Sequence, residues 1–261
     1  PMAENLNFHM TFPPTPAYLG RLLRVMDGTK RSSAEIADLT GIPEGSSTGK
    51  VKPHIDYAAY MGLIDKESCS LTALGRAVKS EDVTFSEKLT LLLCHSMLSS
   101  VTGASMWRFF FRELMAENQE GVSKQLLDDT MRNKYGENAK YRPVITTYTN
   151  QFTALNLVRS EGDRVSVVKM PFEQDMVYVY AYSLLHEWES VFPSEVEITA
   201  GEFSRLKFGR TFGWDDGTEY EVLQRLASKG IIIVNSQLVP FTVKRVMTAD
   251  AVIPKLYSLL F

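Results

Sequence analysis

A chain of 261 residues with 44% hydrophobic and 23% charged content has room for one large globular domain or two to three small ones. It has no apolar run long enough to span a membrane. Its formal net charge of −3 argues against a nonspecific DNA coater, whose affinity comes from neutralising phosphates. A local basic patch remains open, acting weakly alone or within a complex.

Pro1 before Met2 reads as an addition and is set aside, and the start lacks the basic-then-apolar order of a secretory signal. Leu6 to Pro16, containing Phe8, His9, Met10, Thr11 and Phe12, is expected to be ordered and extended. Ala17 to Met26 has helical spacing, with Tyr18, Leu19, Leu22 and Leu23 inward and Arg21 and Arg24 outward. Ser33 to Ile42 is a second amphipathic helix, with Ser33 as its N-cap and Gly41 as its stop. A polar turn from Gly45 to Gly49 leads to a third helix starting near Val51-Lys52, because Pro53 is tolerated only in a first turn. Gly62-Leu63-Ile64 closes it, and the residues up to Leu71-Thr72 make a β-wing. Helix, turn, helix and wing in this order suit a module that lays one helix in a DNA groove.

Phe85 to Leu98 and Ala104 to Met115 are apolar nearly all round, as buried helices are. Ser123 to Arg132 is a further helix, followed by a polar break from Asn133 to Lys140. A motif recurs three times: a helix ends and an apolar pair enters a hairpin. It occurs at Met61 to Leu71, at Leu155 to Val168 around Glu161-Gly162-Asp163, and at Lys229 to Val243 around Asn235-Ser236. The expected fold is therefore mainly α (α+β), with tandem winged-helix-like units joined by helices. Residues 1–80 would form the first, 81–170 a helical middle region with the second, and 171–261 the third.

The search for chemistry is mostly negative. Gly45 to Lys50 fails as a phosphate-binding loop, because Glu44 and Val51 stand where Gly and Ser or Thr are needed. Cys69 and Cys94 lie far apart, and His9, His54, His95 and His186 are scattered singly. That pattern argues against a zinc site and suits free thiols in a reducing cytoplasm. Asp128-Asp129 on a helix, Glu161 and Asp163 in a turn, and Asp215-Asp216 at a cap read as structural. Asp163 and Asp129 are the first to consider if a hard divalent cation is bound. His95, on an apolar helix, reads as a buried histidine bonded to a carbonyl. Trp107 and Phe109 to Phe111 read as core in preference to a base-stacking platform. Arg205, Lys207, Arg210, Lys244 and Arg245 form a second basic set. The candidate DNA contacts are Lys50, Lys52, His54 and Tyr57 on the third helix, with Arg21, Arg24, Lys30 and Arg31 beside it.

The ordered series His9, Thr11-Phe12-Pro13, Gly49-Lys50, Ile55, Tyr57, Gly62-Leu63-Ile64, Leu71-Thr72 and Leu74-Gly75 resembles a bacterial domain-of-unknown-function family, number 4007. The likeness continues through Thr90-Leu91, His95, Ala104, Trp107, Phe109-Phe110, Thr147-Tyr148, Gly209-Arg210 and Phe212. Met10 stands where the family often has Glu, Val51 where it often has Asn, and Ala58 and Ser96 where it has aromatic residues. The resemblance implies a component of a DNA phosphorothioation and anti-phage defence system, in which a family member nicks DNA. The expected function is a cytoplasmic DNA-binding subunit that positions DNA for sulfur modification, partnered by other subunits of the complex and by no membrane. It would need no cofactor. The alternatives are a Mg²⁺- or Mn²⁺-dependent nickase, a transcriptional regulator and a scaffold without DNA contact.

Overall fold

The computed structural model describes residues 5–260, so Pro1 and Met2 lie outside the described residues. Three segments follow the same path: helix, short strand, capped helix, second helix, hairpin. In the first, α1 (Pro16–Val25) leads to Asp27, which makes a single antiparallel bridge with Ser70. Then come α2 (Ser33–Thr40), α3 (Val51–Tyr60) and the hairpin β1 (Ile64–Asp65) and β2 (Ser70–Leu71). Two helices, α4 (Ala73–Asp82) and α5 (Lys88–Leu98), connect it to the second segment.

The second segment opens with α6 (Ser105–Phe109), which passes through a π-helical turn (Phe110–Leu114) into α7 (Met115–Glu117). The strand β3 (Val122–Ser123), α8 (Lys124–Tyr135) and α9 (Arg142–Thr146) follow. A second π-helical turn (Thr147–Gln151) extends α9 before the hairpin β4 (Val158–Glu161) and β5 (Arg164–Val167). The third segment runs α10 (Val177–Val191), β6 (Glu197–Thr199), α11 (Ala200–Leu206), α12 (Asp216–Ser228), β7 (Ile232–Asn235) and β8 (Thr242–Arg245). The short helix α13 (Ala249–Val252) packs back on α10.

The strand order is the same each time. The sheets run β3-β5-β4 and β6-β8-β7, all antiparallel, and Asp27 likewise flanks β2, which pairs with β1. A local device starts the helix that follows the short strand in each segment. Ser32, Ser123 and Thr199 accept a hydrogen bond from the backbone N–H three residues on. Glu35 and Glu202 reach back to complete two capping boxes. That box selects Ser32 as the cap in place of the expected Ser33, because the glutamate must lie three residues after the cap. The result is a mixed α+β fold of helices with small antiparallel sheets.

One continuous core serves all three segments. Every residue of α5 from Leu89 to Leu98 is buried, and the helix packs on both α3 and α10. Trp107, Trp188 and Trp214 are each fully or almost fully enclosed in the same cluster. The interior of α4 is close: a methyl group on Gly75 would sit 1.8 Å from the Leu63 carbonyl oxygen, so only glycine fits there.

Three expectations change. Residues 5–12 form successive tight turns, with Met10 at φ 49° and Thr11 at φ 76°, where an extended segment was expected. The turn of the third hairpin is longer than the expected Asn235-Ser236, since β7 ends at Asn235 and β8 begins at Thr242. α4, α9 and α10 were not legible by periodicity: α10 is buried on nearly all sides, and α9 changes pitch after one turn.

Candidate nucleic-acid interface

The eight expected DNA contacts divide sharply by burial. Lys52 is exposed at the start of α3, and Lys50, its half-buried N-cap residue, holds its ammonium 5.0 Å from the centre of the Phe12 ring. His54 and Tyr57 face inward and are fully buried. His54 Nε2 accepts from the Thr15 N–H at 2.9 Å, while its Nδ1 lies 2.7 Å from the Lys50 carbonyl oxygen. These contacts fix the tautomer with the proton on Nδ1. Tyr57 donates to the Phe12 carbonyl at 2.8 Å. The N-terminal turns therefore occupy the side of α3 expected to meet bases, and both residues act there as packing groups. Burial lowers the His54 pKa to about 4, so it is neutral at pH 7.

Arg21, Arg24 and Lys30 are exposed. Arg21 leans over the Tyr18 ring at 5.7 Å. Arg31 is committed to a two-pronged pair with Asp27, at 2.8 and 2.9 Å.

Several residues that carry the family resemblance meet in the interior. His95 lies 2.6 Å from the Tyr148 hydroxyl through Nδ1 and 2.7 Å from the Thr211 carbonyl through Nε2, so it is the buried, carbonyl-bonded histidine expected. Burial lowers its pKa to about 3. The π-helical turn at 110–114 lies where Arg112 enters the core. There its guanidinium donates to the Ser99, Leu206 and Lys207 carbonyls and lies 3.2 Å from Glu187. Glu187, also fully buried, accepts from Arg108 and from the Val101 N–H. This charged cluster joins α5, α6, α10 and α11. His9 is buried against Phe8 and Trp107, with a pKa lowered to about 4 by burial and then by Lys140. The resemblance thus rests largely on architecture, not on exposed chemistry. Trp107, Phe110 and Phe111 are core.

A groove in the second segment was not anticipated. Lys124, Tyr141, Arg142, Thr146, Thr149, Asn150 and Ser160, with the apolar Leu127, Ile145 and Val165, line an open cavity of about 530 Å³ between α8, α9 with its π-helical turn, and β4–β5. A signal for it exists in the sequence: Asn138 to Ser160 contains Lys140, Arg142 and Arg159 and no Asp or Glu. The equivalent place in the first segment holds about 150 Å³ and is lined by Met26, Ile36, Ile55 and Ile64 together with Thr29, Cys69 and the ion-paired Arg31 and Lys66.

No carboxylate cluster accompanies these surfaces. Among the described residues, no three His, Cys, Asp or Glu side chains come together to hold a metal ion. Asp128 is bonded to Arg132 and the Tyr141 hydroxyl, and Asp129 to Gln125. Asp215 caps α12, and Asp216 pairs with Arg210. Asp163 sits at the β4–β5 turn. Among the described residues, no helix is long and apolar enough to cross a membrane.

No family model matches the chain, and no curated protein does. Two solved structures share its fold. One, described as a magnesium ion-bound SspB crystal structure, aligns with 97% of this chain and 88% of its own, at TM-score 0.71 and 15% identity. The other, an SspB crystal structure, has the same coverage at TM-score 0.68 and 13% identity. The magnesium belongs to the first of those proteins.

Proposed function

We propose that this chain is a DNA-binding component of a DNA phosphorothioation and anti-phage defence system, which positions DNA while partner subunits carry out the sulfur chemistry. The observation that carries the reading is the path repeated three times, in which two helices and a hairpin follow a short strand. That is the order of a winged helix, which presents its second helix to a DNA groove. On this reading the units correspond to residues 1–80, 81–170 and 171–261. The phosphorothioation link comes from the family resemblance, and the likeness of nearly the whole chain to two SspB structures is in keeping with it.

In the N-terminal unit the contacts reduce to exposed or half-buried cations, namely Lys50, Lys52, Arg21, Arg24 and Lys30, which suit phosphates. Because the net charge is −3, affinity should be modest and should fall steeply with salt. A fluorescence anisotropy titration of labelled duplex DNA at low and moderate salt tests the reading. Salt-sensitive binding is expected, and no binding at low salt would end it. Supercoiled plasmid with Mg²⁺ or Mn²⁺ separates this reading from the nickase alternative: conversion to open circles would favour the enzyme.

A further inference from the structure

We propose that the base-reading element is the second helix of the middle segment, α9 with its π-helical turn, and that its ligand is the major groove of duplex DNA. The proposal rests on the DNA-binding reading above and adds to it the place and the side chains.

Three candidate helices occupy the same topological position, and charge and access separate them. α3 has lost its face to the N-terminal turns, with His54 and Tyr57 buried and bonded to backbone. α12 is capped by Asp215 and begins with Asp216, which occupy Lys169 and Arg210 in ion pairs, and it exposes Glu221, so among the described residues its leading end offers phosphates no unpaired cation. The middle helix borders the open groove of about 530 Å³ with an unpaired arginine, whereas the cations at the smaller cavity beside α3, Arg31 and Lys66, are held by Asp27 and Asp56.

The groove's side chains have the chemistry that reads bases. Arg142 is exposed and makes no ion pair among the described residues, so its guanidinium fork is available for guanine O6 and N7 or for a phosphate. Asn150 is exposed two turns on and can meet adenine N6 and N7. The hydroxyls of Thr146 and Thr149 donate within the helix, to the Arg142 and Ile145 carbonyls, and Thr149 also donates to Asn150 Oδ1, so these residues offer acceptor lone pairs and methyl groups, the latter suited to the thymine methyl. The Lys124 ammonium donates to the Gly162 carbonyl at 2.7 Å, which places a cation beside the turn of the hairpin at the groove rim.

No carboxylate lines the groove. Those on the flanking elements are accounted for. Asp128 is held by Arg132 and Tyr141, and Asp129 by Gln125. Glu161 follows Ser160 on β4 and so points to the opposite face of the sheet from that groove residue. Asp163 lies at the hairpin turn, where its carbonyl accepts the Lys124 N–H. The groove combines two cations and neutral hydrogen-bonding groups with the apolar Leu127, Ile145 and Val165, and it is bounded by a hairpin; this lining suits a polyanion that also offers base edges and methyl groups better than a basic or a purely apolar partner.

The test uses the full chain and anisotropy titrations of duplex DNA over a range of salt. Arg142→Glu should weaken binding at least tenfold and lower the slope of log affinity against log salt by roughly one to two. Asn150→Ala and Thr149→Val should change which duplexes are preferred in a selection from random sequence while leaving the salt slope unchanged. Glu221→Gln on α12 is the control and should not weaken binding. If Arg142→Glu fails to fold, judged by thermal unfolding, Arg142→Gln with Lys124→Ala takes its place and should still lower the slope. Wild-type chain that binds duplex while these variants bind equally well would overturn the assignment and leave the DNA-binding reading intact. Wild-type chain that binds no duplex at low salt, or binds only RNA or single strands, would overturn both.

Discussion

α3 and the helix 142–151 hold the same place in two copies of one topology, yet one is closed and the other open. Around α3, Tyr57 and His54 are buried under residues 8–15, Ile55 faces a small cavity of about 150 Å³, and Asp56 pairs with Lys66. Around 142–151, Arg142 and Asn150 remain in solvent above a groove of about 530 Å³. A repeated topology therefore does not assign a repeated role. What covers a helix, and what charge surrounds it, decides whether it reads a ligand or joins a core.

The strongest test of this contrast is stability. Tyr57→Ala should cost about 3–5 kcal/mol, because it empties a fully enclosed ring site beside Phe8 and Trp107. Asn150→Ala should stay within about 0.5 kcal/mol. Urea denaturation of both variants measures the difference, and equal losses would break the comparison.

Acid should act on the closed region next. His54 has a folded pKa of about 4 against about 6.5 unfolded, so the unfolded chain binds more protons between those values and stability falls as pH drops through the window. At about 1.4 kcal/mol per pKa unit, the loss by pH 4 is on the order of 3 kcal/mol for this residue. His9, with a pKa of about 4, and His95, at about 3, lose stability in the same direction. His54→Gln, which keeps an acceptor for the Thr15 N–H, should flatten the pH dependence of the denaturation midpoint. An unchanged pH profile would mean that His54 is not held neutral by burial. No histidine lines the open groove. DNA affinity of the folded protein should therefore show no histidine-like transition from pH 6 to 8.

A smaller effect concerns phosphates. Lys50→Ala with Lys52→Ala should weaken binding to all duplexes alike and lower the salt slope by at most about two, with no change of sequence preference. A change of preference there would return base reading to α3. The smallest effects are expected at Arg21, Arg24 and Lys30, each removing at most about one unit of slope, measured by the same titrations.

Much of the N-terminal path was legible because it is local. Gly41 at φ 69° ends α2, Pro53 fits only the first turn of α3, and Gly62 at φ 70° turns the chain toward the hairpin. These signals act within a few residues, so spacing alone reveals them. The three hairpins were visible for the same reason. The first strand of each sheet was not, since β3 and β6 are two and three residues long and gain their identity only by pairing with β5 and β8. The groove beside residues 142–151 was the least legible. The sequence by itself determined which residues cap, turn and alternate, because those preferences are set by neighbouring backbone. Only the tertiary structure decided that His54 and Tyr57 lie under residues 8–15 while Arg142 and Asn150 stay in solvent. Burial is a property of what remote parts of the chain bring against a face, and no local pattern records it.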